Sequence, residues 1–383
     1  MFTDGWECSM GVVRNALASR AVGSVTSPHH VDHYLEKLHP LWTAEAVRAK
    51  VVGIERETDN ATTVTLRPNG AWKGFTPGQH VEFGIEVDGV RKVRVFSISS
   101  SAAGKGRNFS VSVKAHPDGF VSRFLNSRLA SGEVVYLSQA QGEFVLPAGL
   151  PDQLLLLSGG SGITPVMSML RTMLESDVLL PRRVTFLHYA RSRDDEMFTD
   201  ALDALQASTG RDLSSVEITR VYTREPDDAA ELTGRFTIDH LKHLGIDPAT
   251  TLTYVCGPAG LIATVRDTYT EQDAADQLRM EYFKVPTIDP ALLEAAAAQA
   301  SGTLSFDRSG SAASNSGATI LEQAEAAGLT PEYGCRMGVC NTCAVKKLHG
   351  AVRHVISGEV NANTDETIKP CVHVPVGDVT VAL

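Results

Sequence analysis

Long apolar runs are missing from the chain: none approaches the ~18 residues of a membrane-spanning helix, so no transmembrane segment is expected. Basic runs and basic stripes interleaved with aromatics are missing too. With a formal net charge of −10, this argues against a nucleic-acid binder. The start of the chain carries Asp4 and Glu7, which does not suit a secretory leader. Cysteine is scarce, with six in 383 residues, and no spacing suggests a disulfide framework. A reducing, cytoplasmic location is the expectation, or a peripheral one at the inner face of a membrane. What remains is the composition of an ordinary globular protein, too long for one core and suited to two or three domains.

Four of the six cysteines lie close to the C-terminus in a spacing that carries chemistry. Cys335, Cys340 and Cys343 read C-x4-C-x2-C, and Cys371 follows at a distance. This is the plant-type ligand spacing for a 2Fe–2S cluster, whose two tetrahedral irons need four converging thiolates. Gly334 and Gly338 let the loop wrap such a core. Zinc sites usually pair cysteines twice as C-x2–4-C, and a lone fourth cysteine does not fit that pattern. Cys8 and Cys256 remain outside the set.

The rest of the chain divides by its hydrophobic grammar. Residues 1–45 form an arm, mobile to about residue 27, then a helical stripe through Val31, Tyr34, Leu35, Leu38, Leu41 and Trp42. That stripe suits packing on the next domain or docking to a partner. His29, His30 and His33 have helical spacing but no carboxylate or cysteine to complete a metal site. Residues 46–149 hold short alternating strands (Val47–Ile54, Thr62–Leu66, His80–Val87, Arg91–Ser97, Phe109–Lys114 and Glu133–Leu137) separated by turn signals such as Asp88-Gly89. They predict a β-barrel with one helix near Gly119–Asn126. Residues 150–285 alternate strand and helix, beginning with the apolar run Leu154–Leu157, and predict a doubly wound parallel sheet. A linker over 286–302 leads to a small α+β domain over 303–383 that carries the cysteine loop.

Several loops in these domains suit anionic and aromatic ligands. Arg94-Val95-Phe96-Ser97 ends a strand, offering a guanidinium for phosphate, a ring for a flat heteroaromatic and a hydroxyl for a ring nitrogen. Gly119-Phe120-Val121-Ser122 opens a helix, whose N-terminus attracts anions. Gly159-Gly160-Ser161-Gly162-Ile163-Thr164 sits between strand and helix, and Cys256-Gly257-Pro258 ends a later strand. Singly, each is as consistent with a helix cap or an ordinary strand. Their order makes chance a poor explanation.

In that order, together with the cysteine loop, these motifs resemble the ferredoxin–NADP reductase superfamily with a C-terminal plant-type ferredoxin domain, from about residue 46 onward. The chain is similar to actinobacterial reductases that supply electrons to membrane acyl-CoA desaturases, the segment from Tyr34 to Trp42 included. The resemblance implies a multidomain α+β protein: an antiparallel β-barrel flavin domain, an α/β parallel-sheet nicotinamide-nucleotide domain and a β-grasp ferredoxin domain. It implies that Arg94 pairs with the flavin pyrophosphate, that Phe96 (more often Tyr in the family) stacks on the isoalloxazine, and that Ser97 lies near N5. By the same resemblance, Gly119–Ser122 suits FAD in preference to FMN, residues 159–164 with Gly257 and Pro258 hold the dinucleotide, and Cys256 sits beside the nicotinamide. Glu281-Tyr282-Phe283 is a weak match to a family motif near the flavin.

Arg191 and Arg193 follow the second strand of the nucleotide domain, where a 2′-phosphate would lie, and Arg224 joins them. They favour NADPH over NADH; alternatively they are solvated or pair with Asp194, Asp195 and Glu196. The expected function is electron transfer from NADPH through FAD and the cluster to a partner oxygenase, with a membrane acyl-CoA desaturase preferred. A soluble hydroxylase acting on phenylacetyl-CoA or an aromatic ring is an alternative acceptor, and a redox-sensing protein without turnover is an alternative function.

Overall fold

The computed structural model describes residues 31–87, 90–104, 106–117, 119–176, 180–208, 215–225, 232–283, 298, 300–331, 333, 338, 343–355 and 358–383. The chain divides into two compact units, Met1–Phe283 and Lys284–Leu383. The expected arm before residue 31, with His29 and His30, lies outside the described residues.

Among the described residues the first unit opens with helix α1 (Val31–Leu38). The apolar stripe runs on to Trp42, but the helix ends sooner because Pro40 has no N–H to continue it and restricts His39. Polar groups rather than the stripe fix α1. Asp32 is buried and accepts from the backbone N–H groups of Ala44, Glu45 and Ala46, while Glu36 pairs with Arg48. Leu38 and Trp42 remain 75% and 41% exposed.

Six strands follow: β1 (Val47–Thr58), β2 (Ala61–Pro68), β3 (His80–Val87), β4 (Val90–Ser97), β5 (Phe109–Lys114) and β6 (Val134–Leu137), with helix α2 (Phe120–Ser127) between β5 and β6. They pair antiparallel in the order β4-β3-β6-β1-β2-β5. A bridge between Ile98 and Val111, with Ser99 N–H donating to Ser110 C=O at 2.8 Å, brings the two ends of that order together and closes the barrel. Alternate side chains fill its interior, among them Val51, Val64, Leu66, Val81, Phe83, Ile98, Phe109 and Val111.

The nucleotide-domain strands β7 (Gln153–Gly159), β8 (Arg183–Ala190), β9 (Val216–Tyr222), β10 (Leu252–Gly257) and β11 (Leu278–Tyr282) form a parallel sheet in the order β11-β10-β7-β8-β9. The Leu154–Leu157 run is buried on both faces, as its composition predicts. Leu154 and Leu156 pack with helix α3 (Ile163–Glu175), and Leu155 and Leu157 with helices α5 (Ile238–His243) and α6 (Ala259–Glu271). Helix α4 (Thr199–Ser208) covers the α3 side. Strand order reverses between β7 and β10, and such a switch point opens a crevice outside the strands' C-terminal ends.

Barrel and parallel sheet share an interface within this unit. Tyr254 donates to the Val145 carbonyl at 2.7 Å, Ser168 to the Ser100 carbonyl at 2.7 Å and Arg171 to the Ser99 carbonyl at 2.9 Å. Glu57 of the barrel accepts the Phe198 N–H at 3.0 Å and holds that residue at φ 64°. A non-glycine residue in this left-handed region costs about 1–2 kcal/mol.

The second unit is a mixed sheet in the order β13-β12-β17-β14-β15, with β16 also on β14. Its strands are β12 (Thr303–Phe306), β13 (Ser311–Ser314), β14 (Val345–His354), β15 (Val360–Asn361), β16 (Glu366–Ile368) and β17 (His373–Val381). The β12–β17 pair is parallel and the others antiparallel. Helix α7 (Ile320–Ala326) begins in a capping box: Thr319 Oγ1 accepts from Glu322 N–H at 3.3 Å, and Glu322 Oε2 from Thr319 N–H at 3.1 Å. Among the described residues no helix is long and apolar enough to cross a membrane.

Candidate active site

The β3–β4 hairpin sets one wall of the site. Its register pairs Phe83 with Arg94, Val81 with Phe96 and His80 with Ser97. Arg94 is exposed, Phe96 is half-buried with its ring edge-on to Phe83 at 6.0 Å, and Ser97 is buried. The sequence-predicted trio therefore holds together as one strand end, with its cation in solvent and its hydroxyl inside.

At the start of α2, Gly119 has no room for a side chain: a Cβ there would lie 2.4 Å from Ser122 Oγ. Ser122 is buried, accepting from His116 N–H at 3.1 Å and donating to the Gly119 carbonyl at 3.2 Å. Its hydroxyl therefore shapes the turn. Val121 is buried beneath, and Phe120 is 41% exposed.

The β7–α3 and β10–α6 loops meet at the switch point, backbone against backbone. A Cβ on Gly162 would fall 2.2 Å from the Cys256 carbonyl oxygen, and one on Gly159 would fall 2.7 Å from Leu261 Cδ2 and 3.0 Å from Pro258 Cδ. A Cβ on Gly257 would likewise fall 3.0 Å from Gly159 N. Gly160 stands at φ 54° with open space around it, and Thr164 Oγ1 donates to the Ser161 carbonyl at 3.1 Å. Glycine at 159, 162 and 257 thus brings the two loops together.

Register across the sheet shows how the chemistry is arranged. Glu281, Cys256, Ser158, His188 and Arg220 are neighbours on five adjacent strands, a polar layer above the apolar layer of Tyr254, Leu156, Phe186 and Ile218. Ser158 Oγ lies 2.8 Å from His188 Nδ1. Burial first, then the Lys114 and Arg220 cations, push His188 down to about 3, so it is neutral at physiological pH. Burial, with Glu281 adding to it, raises the Cys256 thiol and keeps it protonated. Glu281 is itself raised: burial outweighs the opposing influence of His80 and Ser97.

Glu281 therefore joins the two domains: it neighbours Cys256 across the sheet and faces His80, the register partner of Ser97, on the barrel. His80 Nδ1 is 3.6 Å from Glu281 Oε1, just beyond hydrogen-bond range. Both His80 ring nitrogens and Glu281 Oε2 are buried without a hydrogen-bond partner. Orphaned polar atoms of this kind need a partner, and a bound heteroaromatic ring with its own donors and acceptors suits them. Sequence reasoning left out His80, and a signal was present: Asp-Gly between two alternating runs predicts a tight hairpin, whose register would set residue 80 opposite residue 97.

The three arginines behave differently from one another. Arg191 is bidentate on Asp195, at 2.9 and 2.6 Å, and Lys114 of the barrel reaches the same carboxylate at 2.6 Å. Arg193 turns instead to Asp203 at 2.6 Å. Arg224 is exposed, and its backbone N–H donates to the Arg191 carbonyl at 2.9 Å, which sets these two residues side by side.

In the second unit Cys343 and Cys371 are buried with their sulfurs 3.3 Å apart. This is too long for a disulfide and sets two thiols side by side, as two ligands converging on one metal require. Cys335 and Cys340 lie outside the described residues. Gly338 stands at φ 72°, its Cβ position 2.9 Å from Val372 Cγ2, and Lys369 Nζ donates to its carbonyl at 2.7 Å.

Three domain families match the chain: the oxidoreductase FAD-binding domain over residues 48–146, the oxidoreductase NAD-binding domain over 156–267 and the 2Fe-2S iron-sulfur cluster binding domain over 306–376. Fold and domains together define a flavin- and iron–sulfur-dependent oxidoreductase. An NADPH oxidoreductase of Mycobacterium tuberculosis is 34% identical over 358 residues, covering 92% of this chain and 89% of that protein. The glycine betaine monooxygenase reductase subunit of Chromohalobacter salexigens is 28% identical over 363 residues, covering 89% and 96%. Phthalate dioxygenase reductase shares the fold, with a TM-score of 0.55 at 21% identity over 88% of this chain and 97% of its own. The chain belongs to the family of oxidoreductases that join FAD-binding, NAD-binding and 2Fe-2S domains in one polypeptide.

Proposed function

We propose that the chain is an NADPH-dependent reductase that passes electrons through FAD and a 2Fe–2S cluster to an oxygen-activating partner. The observation that carries this reading is a junction of the two domains: Glu281, beside Cys256 in the nucleotide-binding sheet, lies 3.6 Å from His80 of the flavin-binding barrel, the register partner of Ser97. A hydride donor and a hydride acceptor need such a place, close to both domains and shielded from water. FAD, held by the barrel residues, would supply the conversion of two-electron hydride chemistry into single-electron transfer.

The chain's own residues place and shelter these groups. Phe96 offers a ring face to the flavin and Arg94 a cation to its pyrophosphate, while the Gly119–Ser122 turn gives that pyrophosphate a helix N-terminus. The close-packed loops 159–164 and 256–258 hold the dinucleotide, and Cys256, a neutral thiol, presents no charge to the nicotinamide. Ser97 and Glu281 hold a proton beside the flavin edge at Oγ and the carboxyl. Cys335, Cys340, Cys343 and Cys371 ligate the cluster. Arg191 and Arg224 favour NADPH over NADH.

The preferred acceptor is a membrane acyl-CoA desaturase, on the resemblance that includes the Tyr34–Trp42 segment. Relatives named as reductase subunits of glycine betaine monooxygenase and stachydrine N-demethylase support a soluble oxygenase as the alternative. Anaerobic titration with NADPH and with NADH, followed by visible absorption, tests the electron path. Bleaching of both flavin and cluster bands at low NADPH is expected. Flavin bleaching with an unchanged cluster would overturn the coupled path. Cys340→Ser should abolish cluster-dependent transfer while leaving NADPH oxidation by ferricyanide intact, and co-fractionation with membranes separates the two acceptors.

A further inference from the structure

Cys371 sits in a short 3-10 turn, Pro370–Val372, and the residue that caps this turn is Lys369. The Lys369 carbonyl accepts from Val372 N–H at 3.0 Å and lies 2.9 Å from His373 Nδ1, which fixes its backbone beside the turn. Its side chain reaches back 31 residues along the chain, where Nζ donates to the Gly338 carbonyl at 2.7 Å. Gly338 also packs on the Cys371 turn, since a Cβ there would fall 2.9 Å from Val372 Cγ2. One half-buried lysine thus bridges the loop that carries three of the four clustered cysteines and the turn that carries the fourth. Lys347 shows the ordinary structural use of a lysine in the same unit. Fully buried, it donates to the Gly350 carbonyl at 2.8 Å and to the Asn363 carbonyl, both outside the cysteine loop. Among the described residues no carboxylate forms an ion pair with Lys369.

We propose that Lys369 is a positioning residue for the 2Fe–2S cluster: its ammonium ties the ligand loop to the Cys371 turn and holds the cluster's reduction potential above the value the thiolates alone would give. This deepens the reading above and rests on it. The buried Cys343 and Cys371 sulfurs, side by side at 3.3 Å, fit two neighbouring ligands of such a group. A cluster with four thiolate ligands is anionic in both oxidation states and gains one more negative charge on reduction. A nearby cation therefore stabilises the reduced state more than the oxidised one, and partial burial strengthens that attraction by lowering the local dielectric. The same contact works mechanically. With the ammonium bonded to Gly338, the ligand loop and the turn must separate together with the loss of a charge-assisted hydrogen bond before a thiolate can leave the metal.

The test is a potentiometric titration of the holoprotein, followed by the electron paramagnetic resonance of the reduced cluster, with cluster loss to EDTA as a second reading. Wild type is compared with Lys369→Met, Lys369→Arg and Lys346→Met. Lys369→Met keeps the alkyl stem and removes both charge and donor. At a given potential its ratio of reduced to oxidised cluster should fall about tenfold, a shift of about 59 mV to more negative potential for a one-electron couple. Its cluster should also be lost to EDTA about tenfold faster. Lys369→Arg restores the charge and should return the potential close to wild type. Lys346, an exposed lysine of β14, controls for overall charge, and its replacement should leave both readings near wild type. Cluster-bearing Lys369→Met with an unchanged potential would overturn the proposal, as would an equal shift in Lys369→Arg or in Lys346→Met. If Lys369→Met does not assemble the cluster, Lys369→Gln, which keeps a donor without the charge, takes its place, and an unchanged potential there overturns it alone. Wild-type protein that holds no such cluster would instead sink the functional reading itself.

Discussion

The candidate site has two ends that handle charge in opposite ways. At the reacting end, Cys256, His80 and Ser97 are buried and Glu281 is largely so, the carboxyl and thiol are raised toward their neutral forms, and several polar atoms lack partners. At the anchoring end, Lys114, though lowered by burial, and Arg191 both pair closely with the Asp195 carboxylate. A hydride passes best where no competing water or stray charge lies near its path. A polyanionic cofactor is best gripped where cations are already in place. One interface meets both needs by separating them along the C-terminal edge of one sheet.

Substitutions can break this contrast, and the largest effect is expected where neither end survives. In Gly162→Ala the new Cβ would meet the Cys256 carbonyl oxygen at 2.2 Å, with no flexible side chain to give way. We expect a stability loss of about 3 kcal/mol in denaturant unfolding, with NADPH turnover nearly abolished. Gly160→Ala, with open space but φ 54°, should cost only about 1 kcal/mol.

Next come changes confined to the reacting end. Ser97→Ala and Glu281→Gln should each lower kcat with ferricyanide by about 10–100-fold, as for loss of a positioned proton-handling group. Neither should move the affinity for NADP⁺, and a change confined to affinity would contradict the separation of the ends. The stability effect of Glu281→Gln has a defined sign. Burial raises the folded pKa, so ionised Glu281 disfavours the fold above that value, and the penalty disappears below the unfolded pKa. The variant should gain stability over wild type at neutral and alkaline pH, and the gain should shrink on acidification.

Asp195 should show the reverse. Burial alone would raise it, but Arg191 and Lys114 outweigh that and lower it from 3.8 to about 2. A folded value below the unfolded one means stabilisation that is complete above the unfolded pKa and lost as pH falls through the folded pKa. Asp195→Asn should therefore be less stable than wild type at pH 5 and above, with the difference closing between about pH 4 and about pH 2. The smallest effect is that of salt. Raising ionic strength from about 0.05 to about 0.5 M should increase KM for NADPH severalfold and leave kcat nearly unchanged, because only the anchoring end is open to screening.

How much of this was legible beforehand depended on range along the chain. The barrel, the parallel sheet and the cysteine loop announce themselves locally, through alternation, the Leu154–Leu157 run and a fixed thiol spacing. The glycine-rich loops were legible for the same reason, since close backbone approach demands glycine at the point of contact. Strand β11 was harder to read: Arg279 and Glu281 interrupt its apolar residues, and an edge strand needs only one buried face. Asp195 was considered as a partner for the arginines, and it is one for Arg191; Asp203 was not, because its pairing with Arg193 depends on how α4 packs. Lys114 gave no local sign at all. It becomes meaningful only when β5 of the barrel is laid beside the loop after β8, 81 residues further on.

Burial of the Cys256 thiol has a kinetic consequence. Iodoacetamide attacks thiolates, and this sulfur is fully enclosed and held protonated. It can be alkylated only while the crevice is transiently open, so its labelling rate equals the open fraction times the rate for an exposed thiol. The residue is thus a built-in clock for breathing of the switch point, and a dinucleotide that clamps the two loops together should slow it in proportion to occupancy.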